Sequence, residues 1–287
     1  MEITRVGDVT LGWGESLVWD DRRQRLLFVD CATRRLHWID DGSEDVHSWK
    51  LPSMPTGLVP TMDGAVLAVL DDGLHVLDID EQTSRLVSAF PAVIGGRCND
   101  ACADLSGNVI TGKLNPGPAE GSAWWWSATH GWRMLDSDIS NTNGPAAAVI
   151  DGEMTLIIGD TSKEYFAYPY DADAGTVGTR RVFGAMDGVD GRPDGSAMDA
   201  DGGLWCALVD GGQLARFTSG GLDRTVPLPV RYPTDVAFGG PDLDRLYVVS
   251  IGTAGGIAAG DAGLDGALLV IDGLGARGRP EPRCNVT

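Results

Sequence analysis

Residues 16–40, SLVWDDRRQRLLFVDCATRRLHWID, contain three short apolar runs separated by turns rich in Asp, Arg and Thr. The apolar residues do not recur at i, i+3, i+4 and i+7, so an amphipathic helix is not indicated. Short runs of Leu, Val, Ile, Phe and Trp between turn residues are typical of β-strands. The stretch therefore predicts three strands joined by tight turns.

The same unit recurs along the chain. Six copies align on their first turns, which lie near Asp21, Asp63, Ser106, Asp151, Asp201 and Asp242. A spacing of about 40 to 50 residues is the range of β-propeller blades. Six copies of a three- or four-stranded unit predict an all-β, six-bladed β-propeller with a central channel lined by the innermost strand of every blade.

A β-sandwich of similar length would not require this near-constant period, so we place it second. Turns rather than a linker separate the copies, and we therefore expect residues 1–287 to form a single propeller domain.

Composition restricts the function. The chain of 287 residues has a formal net charge of −19. This charge disfavours binding to nucleic acids and anionic membranes, because proteins bind phosphate groups through Lys and Arg. No apolar run is long enough to span a bilayer, and the N-terminus lacks the pattern of a signal peptide. The five cysteines form no CxxC pair, which suits reduced thiols. We expect a soluble, cytoplasmic protein.

Unusual polar residues precede or begin the predicted innermost strands of four blades. They are Glu15, Arg97, Asn99, Asp100, Asn143 and Asp194. Quasi-symmetry would bring these positions together at one end of the channel. Two carboxylates and an amide oxygen suit a hard divalent cation such as calcium, magnesium or manganese, more directly than zinc or ferrous iron. Each residue alone has a simpler interpretation as a turn residue, but their common place in the repeat favours a site.

Residues 95–102, GGRCNDAC, combine a cation, an amide, a carboxylate and two thiols. If this stretch enters an innermost strand, strict alternation places Arg97 and Asn99 on one side and both thiols and Asp100 on the other. The thiols then pack as small hydrophobes. Asp100 points away from the channel, unless the turn ahead of the strand brings it back.

Three consecutive tryptophans, Trp124 to Trp126, lie in the third copy. In a strand the first and third face one way and the second faces the other. We expect most of the run to pack between blades, with stacking of one ring on a sugar as the alternative.

A set of five segments carries a resemblance to a known family: LGWGESLVWD, RCNDACADLSGN, SNTNGPAA, GRPDGSAMDADGGLWCAL and PTDVAFGGPDLDRLYVVS. In this order they resemble the signature segments of the senescence-marker-protein/gluconolactonase family, the regucalcin-like sugar lactonases. The resemblance runs from about Gly12 to Ser250. It implies a six-bladed propeller with one divalent metal ion at the channel mouth, and hydrolysis of a small-molecule lactone, often an aldonolactone, to the hydroxy acid.

The resemblance also implies roles for single residues. Glu15, Asn143 and Asp194 match the metal ligands of the family, and Asp194 also matches its proposed general base. Arg97 and Asn99 match the pair that contacts substrate, although in some relatives the residue equivalent to Asn99 is close enough to join the metal shell. The implied mechanism is polarisation of the lactone carbonyl by the metal and attack by water with help from Asp194. Calcium is our first expectation for the metal, with magnesium, manganese, zinc and ferrous iron as alternatives.

The sequence departs from the family in two places. Ala101 stands where members often have Gly, and the acidic substrate contact of the family has no close counterpart, with Glu120 a loose candidate. Two other functions stay open: a metal-dependent propeller enzyme acting on another ester, a phosphoester or a biosynthetic intermediate, and a calcium-binding protein without turnover. The sequence does not decide the lactone, the metal or the oligomeric state.

Overall fold

The computed structural model of the protein describes residues 1–94, 97–113, 121–252 and 263–287. These residues form six antiparallel sheets, which confirms the predicted all-β, six-bladed propeller. The described residues contain no helix, and therefore no helix that could cross a membrane.

The first three blades are each built from four consecutive strands. Blade 1 comprises β2 (Gly14–Asp20), β3 (Arg25–Asp30), β4 (Arg35–Asp40) and β5 (His47–Lys50). Blade 2 comprises β6 (Gly57–Pro60), β7 (Val66–Leu70), β8 (Gly73–Asp78) and β9 (Thr83–Ala89). Blade 3 comprises β10 (Cys98–Ala103), β11 (Val109–Lys113), β12 (Ser122–Ser127) and β13 (Gly131–Asp136).

Two of the remaining blades differ from this pattern. Blade 4 has one extra strand, and blade 6 includes a strand from the N-terminal end of the chain. Blade 4 comprises β14 (Thr142–Ile150), β15 (Glu153–Asp160), β16 (Tyr165–Asp171), β17 (Thr176–Val177) and β18 (Arg181–Gly184). Blade 5 comprises β19 (Arg192–Met198), β20 (Leu204–Val209), β21 (Gln213–Thr218) and β22 (Gly221–Pro227). Blade 6 comprises β23 (Pro233–Gly239), β24 (Arg245–Ser250), β25 (Leu269–Asp272) and β1 (Glu2–Arg5).

Blade 6 closes the ring with strands from both ends of the chain. β1 pairs with β25 in a register that runs from Glu2↔Asp272 to Arg5↔Leu269. The repeat pattern did not predict this strand, because the segment EITR has neither an apolar run nor a turn of its own. The pairing covers the outer edge of β25, which would otherwise expose unpaired backbone groups.

Residues 277–287, the C-terminal tail, run across the turns that follow the inner strands. Backbone hydrogen bonds join the tail to blades 5, 6, 2 and 3: Ala200 N to Arg277 O (2.7 Å), Gly278 N to Leu243 O (2.7 Å), Cys284 N to Pro60 O (2.8 Å) and Asn285 N to Gly107 O (2.7 Å). The Arg283 guanidinium lies 3.4 Å from the Asp20 carboxylate of blade 1. The tail is therefore held by five blades at the end of the channel where the inner strands finish.

The hydrophobic core lies between neighbouring blades rather than at the axis. Trp124 and Trp126 of β12 pack in one cluster with Val59 and Val69 of blade 2. Trp125 packs on the opposite face, in a cluster with strands of blade 4. All three rings are buried, which confirms the predicted alternation and the packing role of the run. The five cysteines carry free thiols, as expected.

Candidate functional site

Most inner strands carry a β-bulge near their start. Register shifts follow Glu15 in β2, Asn99 in β10, Asn143 in β14, Pro193 in β19 and Pro233 in β23. A bulge inserts an extra residue and re-aims the side chains around it. Glu15, Asn99 and Asn143 thus hold the same place in their blades, and Asp194 lies one position later.

Left-handed backbone conformations accompany three of these bulges. The φ angles are 50° at Ser16, 53° at Asp100 and 48° at Gly144, which are equivalent positions in the repeat. Non-glycine residues adopt this region infrequently, so the first two positions carry local strain. Strict alternation ends at these residues, and successive side chains turn toward the axis.

Glu15 lies buried at the start of β2, the end of the channel that we call the mouth. Its Oε1 accepts a hydrogen bond of 2.9 Å from the indole Nε1 of Trp13. Burial, and next the negative charge of Asp100, raise the pKa of Glu15 to about 8. The mouth therefore disfavours this negative charge unless a cation accompanies it.

Asn99 and Asn143 face each other across blades 3 and 4. The Asn99 Nδ2 donates to Asn143 Oδ1 at 2.6 Å and to the Thr142 carbonyl oxygen at 3.0 Å. The Asn143 Nδ2 donates in turn to the Thr161 hydroxyl. These donations fix both amide orientations and leave the second lone pair of Asn143 Oδ1 for another partner.

Asp194 is buried in β19, and its backbone carbonyl accepts a hydrogen bond of 2.6 Å from the Tyr165 hydroxyl. No donor from the described part of the chain bonds its carboxylate. Burial, followed by the charges of Glu15, Asp100 and Asp235, raises the pKa of Asp194 well above its usual range.

Asp100 faces the channel, so the alternative in which the turn brings it back holds and strict alternation does not. The positive φ and the bulge turn it toward the axis, where its Oδ1 accepts from Ala101 N and its Oδ2 from Gly144 N, both at 2.7 Å. Burial raises the pKa of Asp100 to about 6, although both backbone donors lower it. Its carboxylate joins the inner strands of blades 3 and 4.

Asp235 plays the matching structural role between blades 6 and 1, and the sequence analysis missed it. Its Oδ2 accepts from Leu17 N at 2.6 Å and its Oδ1 from Val236 N at 2.8 Å. Burial, then the charges of Asp100 and Glu15, raise the pKa of Asp235 well above its usual range. Its place at the start of the sixth repeat was the signal that could have identified it.

Arg97 lies half-buried beside this cluster. Its guanidinium lies 5.1 Å from the Trp13 ring centroid and donates to the Met54 sulfur (3.2 Å) and to Asn99 Oδ1 (3.3 Å). Its Nε is buried and has no hydrogen-bond partner among the residues that the structure describes. Arg97 is thus a cation that retains unused donor capacity next to Asn99.

Gly95 and Gly96 lie outside the described residues, and so does Glu120, the loose candidate for an acidic substrate contact.

The donor set at the mouth fits a hard cation. Glu15 and Asp194 are buried carboxylates that repel each other, and Asn143 adds an amide oxygen. Across residues 1–94, 97–113, 121–252 and 263–287, no group of three or more His, Cys, Asp or Glu is arranged to hold a metal ion. Amide oxygens and water would therefore have to complete the shell, as is common for calcium and magnesium.

Behind the mouth, the channel contains a cavity of about 60 Å³, which we call the chamber. It is lined by residues 16–18, 58–60, 100–103, 145–147 and 196–198, by Asp235, and by residues 279–282 of the tail. Water fills about 30 Å³ per molecule in the liquid, so the chamber has room for ordered water. All six blades meet there, and the tail forms its floor.

Comparisons with known proteins agree with this architecture. Residues 13–252 match the family model described as SMP-30/Gluconolactonase/LRE-like region. The pentonolactonase XacC of Haloferax volcanii is 32% identical over 100% of this chain and 99% of its own. A 6-deoxy-6-sulfogluconolactonase of Pseudomonas putida is 32% identical over 83% of this chain and 82% of its own.

A solved structure gives the same result for the fold. The regucalcin of Agrobacterium tumefaciens, described as a calcium-binding protein, superposes with a TM-score of 0.87 at 27% identity, covering 98% of this chain and 97% of its own.

Proposed function

The chain belongs to the SMP-30/gluconolactonase/LRE-like family, and on that basis we propose that it is a divalent-cation-dependent lactonase that hydrolyses a sugar-type lactone to the hydroxy acid. One observation supports the proposal: Glu15 and Asp194 are buried carboxylates that repel each other, and Asp194 lies on the inner strand next to the one that bears Asn143. Hydrolases that activate water with a metal ion use such open oxygen-donor sites.

In this proposal Glu15, Asn143 and Asp194 hold the cation, with Asn99 beside them. Calcium is the first candidate because the donors are hard oxygens and only two of the three proposed ligands are carboxylates. Magnesium, manganese, zinc and ferrous iron are the alternatives. A cation bound there would polarise a lactone carbonyl and lower the pKa of a bound water.

The side chains of the protein supply the remaining steps. Asp194 accepts the proton of the attacking water, since no donor from the described residues occupies its carboxylate, and returns a proton to the ring oxygen that leaves. Arg97 and Asn99 orient the substrate through its hydroxyl or carboxyl oxygens, with the half-buried Arg97 guanidinium as the cationic donor. Trp13 holds the Arg97 guanidinium in place by a cation–π contact at 5.1 Å.

The names of two relatives support a sugar lactone as substrate. One is a pentonolactonase that covers the full length of this chain, and the other is a sulfogluconolactonase. Both names describe cyclic esters of sugar acids, so aldonolactones of five and six carbons are the first substrates to test.

The test is proton release from a panel of five- and six-carbon aldonolactones, measured with and without a chelator. We expect turnover that the chelator removes and that calcium or another divalent cation restores. Asp194→Asn is expected to lose at least a thousandfold in kcat, because it removes both a cation ligand and the base. Asp187→Asn removes the charge of an exposed carboxylate close in sequence and is expected to keep full activity.

A second candidate is a calcium-binding protein without turnover, because the regucalcin of Agrobacterium tumefaciens is described as a calcium-binding protein. Cation binding together with no hydrolysis of any lactone or other ester would favour it. Turnover of simple esters but not of aldonolactones would instead indicate an enzyme with a non-sugar substrate. If Asp194→Asn binds the cation and turns over lactone at the wild-type rate, the roles of Asp194 as cation ligand and base are refuted.

A further inference from the structure

The C-terminal tail brings a carboxylate to the floor of the channel. Glu281 lines the chamber, between Pro280 and Pro282. Proline has a fixed φ and no N–H group, so the two flanking residues restrict the backbone and bring no amide donor into the chamber. A tail that served only to cover the channel would not need an acid at this position.

The tail is anchored on both sides of Glu281. Before it, the Arg279 guanidinium donates to the Asp199 carbonyl oxygen at 2.9 and 3.2 Å. After it, Cys284 N donates to Pro60 O at 2.8 Å and Met62 N to Cys284 O at 2.9 Å. Glu281 is therefore fixed in position rather than free to leave the chamber.

The ionisable groups that line the chamber with Glu281 are two carboxyls, one thiol and one guanidinium. Asp100 and Cys102 of β10 and Asp235 of β23 line the same chamber, and Arg279 is the one cation among the described lining residues. The other lining strands contribute only Ser, Leu, Val, Pro, Ala and Met.

No described donor bonds the Glu281 carboxylate. Burial raises the pKa of Glu281 to about 7, Arg279 lowers it, and Asp100 raises it further. Glu281 thus gains or loses its charge near neutral pH.

Asp100 connects the floor of the chamber to the mouth. Its charge acts on Glu281 on one side and on Glu15 and Asp194 on the other. In a channel with low-dielectric walls, charges interact over longer distances than in water. Asp100 shares the chamber with Glu281 and accepts a hydrogen bond of 2.7 Å from Gly144 N, next to Asn143, so the Glu281 carboxylate lies one carboxylate behind the mouth.

We propose that Glu281 is a positioning residue whose carboxylate, at the floor of the chamber, strengthens cation binding at the mouth by adding a negative charge behind Asp100. The proposal rests on the cation site of the proposed function and not on turnover. It makes the C-terminal tail part of the cation site, although the tail supplies no ligand. It also makes cation affinity depend on pH around neutrality through a residue remote from the ligands.

The test is calorimetric calcium binding to the full chain at pH 8.5 and pH 6, comparing wild type with Glu281→Gln. The substitution keeps the size of the side chain and removes only the charge. We expect the Kd to rise about three- to tenfold at pH 8.5, the effect of one charge across a short aqueous gap. At pH 6 wild-type Glu281 is mostly protonated and the glutamine of the variant is neutral, so the two Kd values should agree within about twofold.

Two controls accompany the comparison. Glu153→Gln removes an exposed carboxylate on blade 4 and should leave the calcium Kd unchanged at both pH values. Glu281→Asp keeps the charge and should retain the wild-type Kd within about threefold at pH 8.5. If Glu281→Gln fails to fold, Glu281→Ala is measured in its place.

An unchanged Kd at pH 8.5 in the folded, charge-free variant would overturn the proposal. So would an equal loss in Glu281→Asp, because that would indicate a steric role for the tail. Wild-type protein that binds no divalent cation would overturn both this proposal and the cation site, whereas bound calcium without lactone turnover would refute only the proposed function.

Discussion

Replacing Glu15 with Gln is expected to stabilise the cation-free protein above pH 7, even though the substitution weakens the site. Glu15 is buried, and the pKa of its carboxyl is raised from 4.5 to about 8, first by burial and then by the charge of Asp100. Gln keeps the size of the side chain and the oxygen that accepts the Trp13 hydrogen bond of 2.9 Å. It removes only the charge that the cation-free site disfavours.

The sign follows from proton linkage. An acid whose pKa is higher in the folded than in the unfolded state favours folding fully below pH 4.5, and this contribution is lost as the pH rises through about 8. A rise from 4.5 to about 8 corresponds to at most about 5 kcal/mol, at about 1.4 kcal/mol per pH unit. We expect Glu15→Gln to be about 2 to 5 kcal/mol more stable than wild type at pH 9 and equal to it at pH 4.5.

Urea unfolding in the presence of a chelator, at pH 4.5, 7 and 9, measures this difference. Adding calcium at pH 9 should raise the unfolding free energy of wild type and have little effect on Glu15→Gln. Glu153→Gln, which alters an exposed carboxylate, should follow wild type throughout. If cation-free Glu15→Gln is less stable than wild type at pH 9, the electrostatic description of the mouth is wrong.

Two further predictions concern contacts between blades, and a third concerns the strand that closes blade 6. Asn99→Leu loses the hydrogen bonds from Asn99 to Asn143 (2.6 Å) and to the Thr142 carbonyl (3.0 Å). We expect a calcium Kd about tenfold higher by calorimetry and a free energy of unfolding about 1 to 3 kcal/mol lower in urea. Trp125→Ala, at a site with 1% exposure, should cost about 3 to 5 kcal/mol in urea unfolding and leave the calcium Kd unchanged. Removing residues 1–6 deletes β1 and exposes the edge of β25; calorimetry should show a lower Tm and light scattering should show association.

The repeat was predictable because each blade needs its own turns and apolar strands. Six turns at near-constant spacing were enough to predict six blades, and the structure places a sheet on each. β1 was missed because it completes a blade whose other strands lie at the far end of the chain, and pairing between termini leaves no local pattern in the sequence.

The site was predictable only in outline. The common repeat position of Glu15, Asn99 and Asn143 is visible in the sequence, and the structure brings their blades together at one mouth. Alternation alone points Asp100 away from the channel because it assumes a regular strand; a bulge with φ of 53° turns the side chain back, which is the alternative that the sequence left open. A single residue in a left-handed conformation is set by contacts with the next blade, here the bond from Gly144 N at 2.7 Å.

Glu281 was not predicted at all, for a different reason. It lies in the tail, outside the repeat, and reaches the axis only because turns of several blades hold the tail across the channel. Nothing in the segment RPEP indicates that path. Contacts between a terminus and the folded ring follow from the three-dimensional structure and not from local propensity.

The most direct test of the account is a cation titration of lactone hydrolysis. Protein stripped by a chelator is supplied with increasing calcium, and aldonolactone turnover is measured against bound cation. We expect turnover to rise in proportion to bound calcium, to reach its maximum at one cation per chain, and to stay at least a thousandfold lower at every calcium concentration in Asp194→Asn. Full turnover in cation-free wild type, or wild-type turnover in Asp194→Asn, would contradict this expectation.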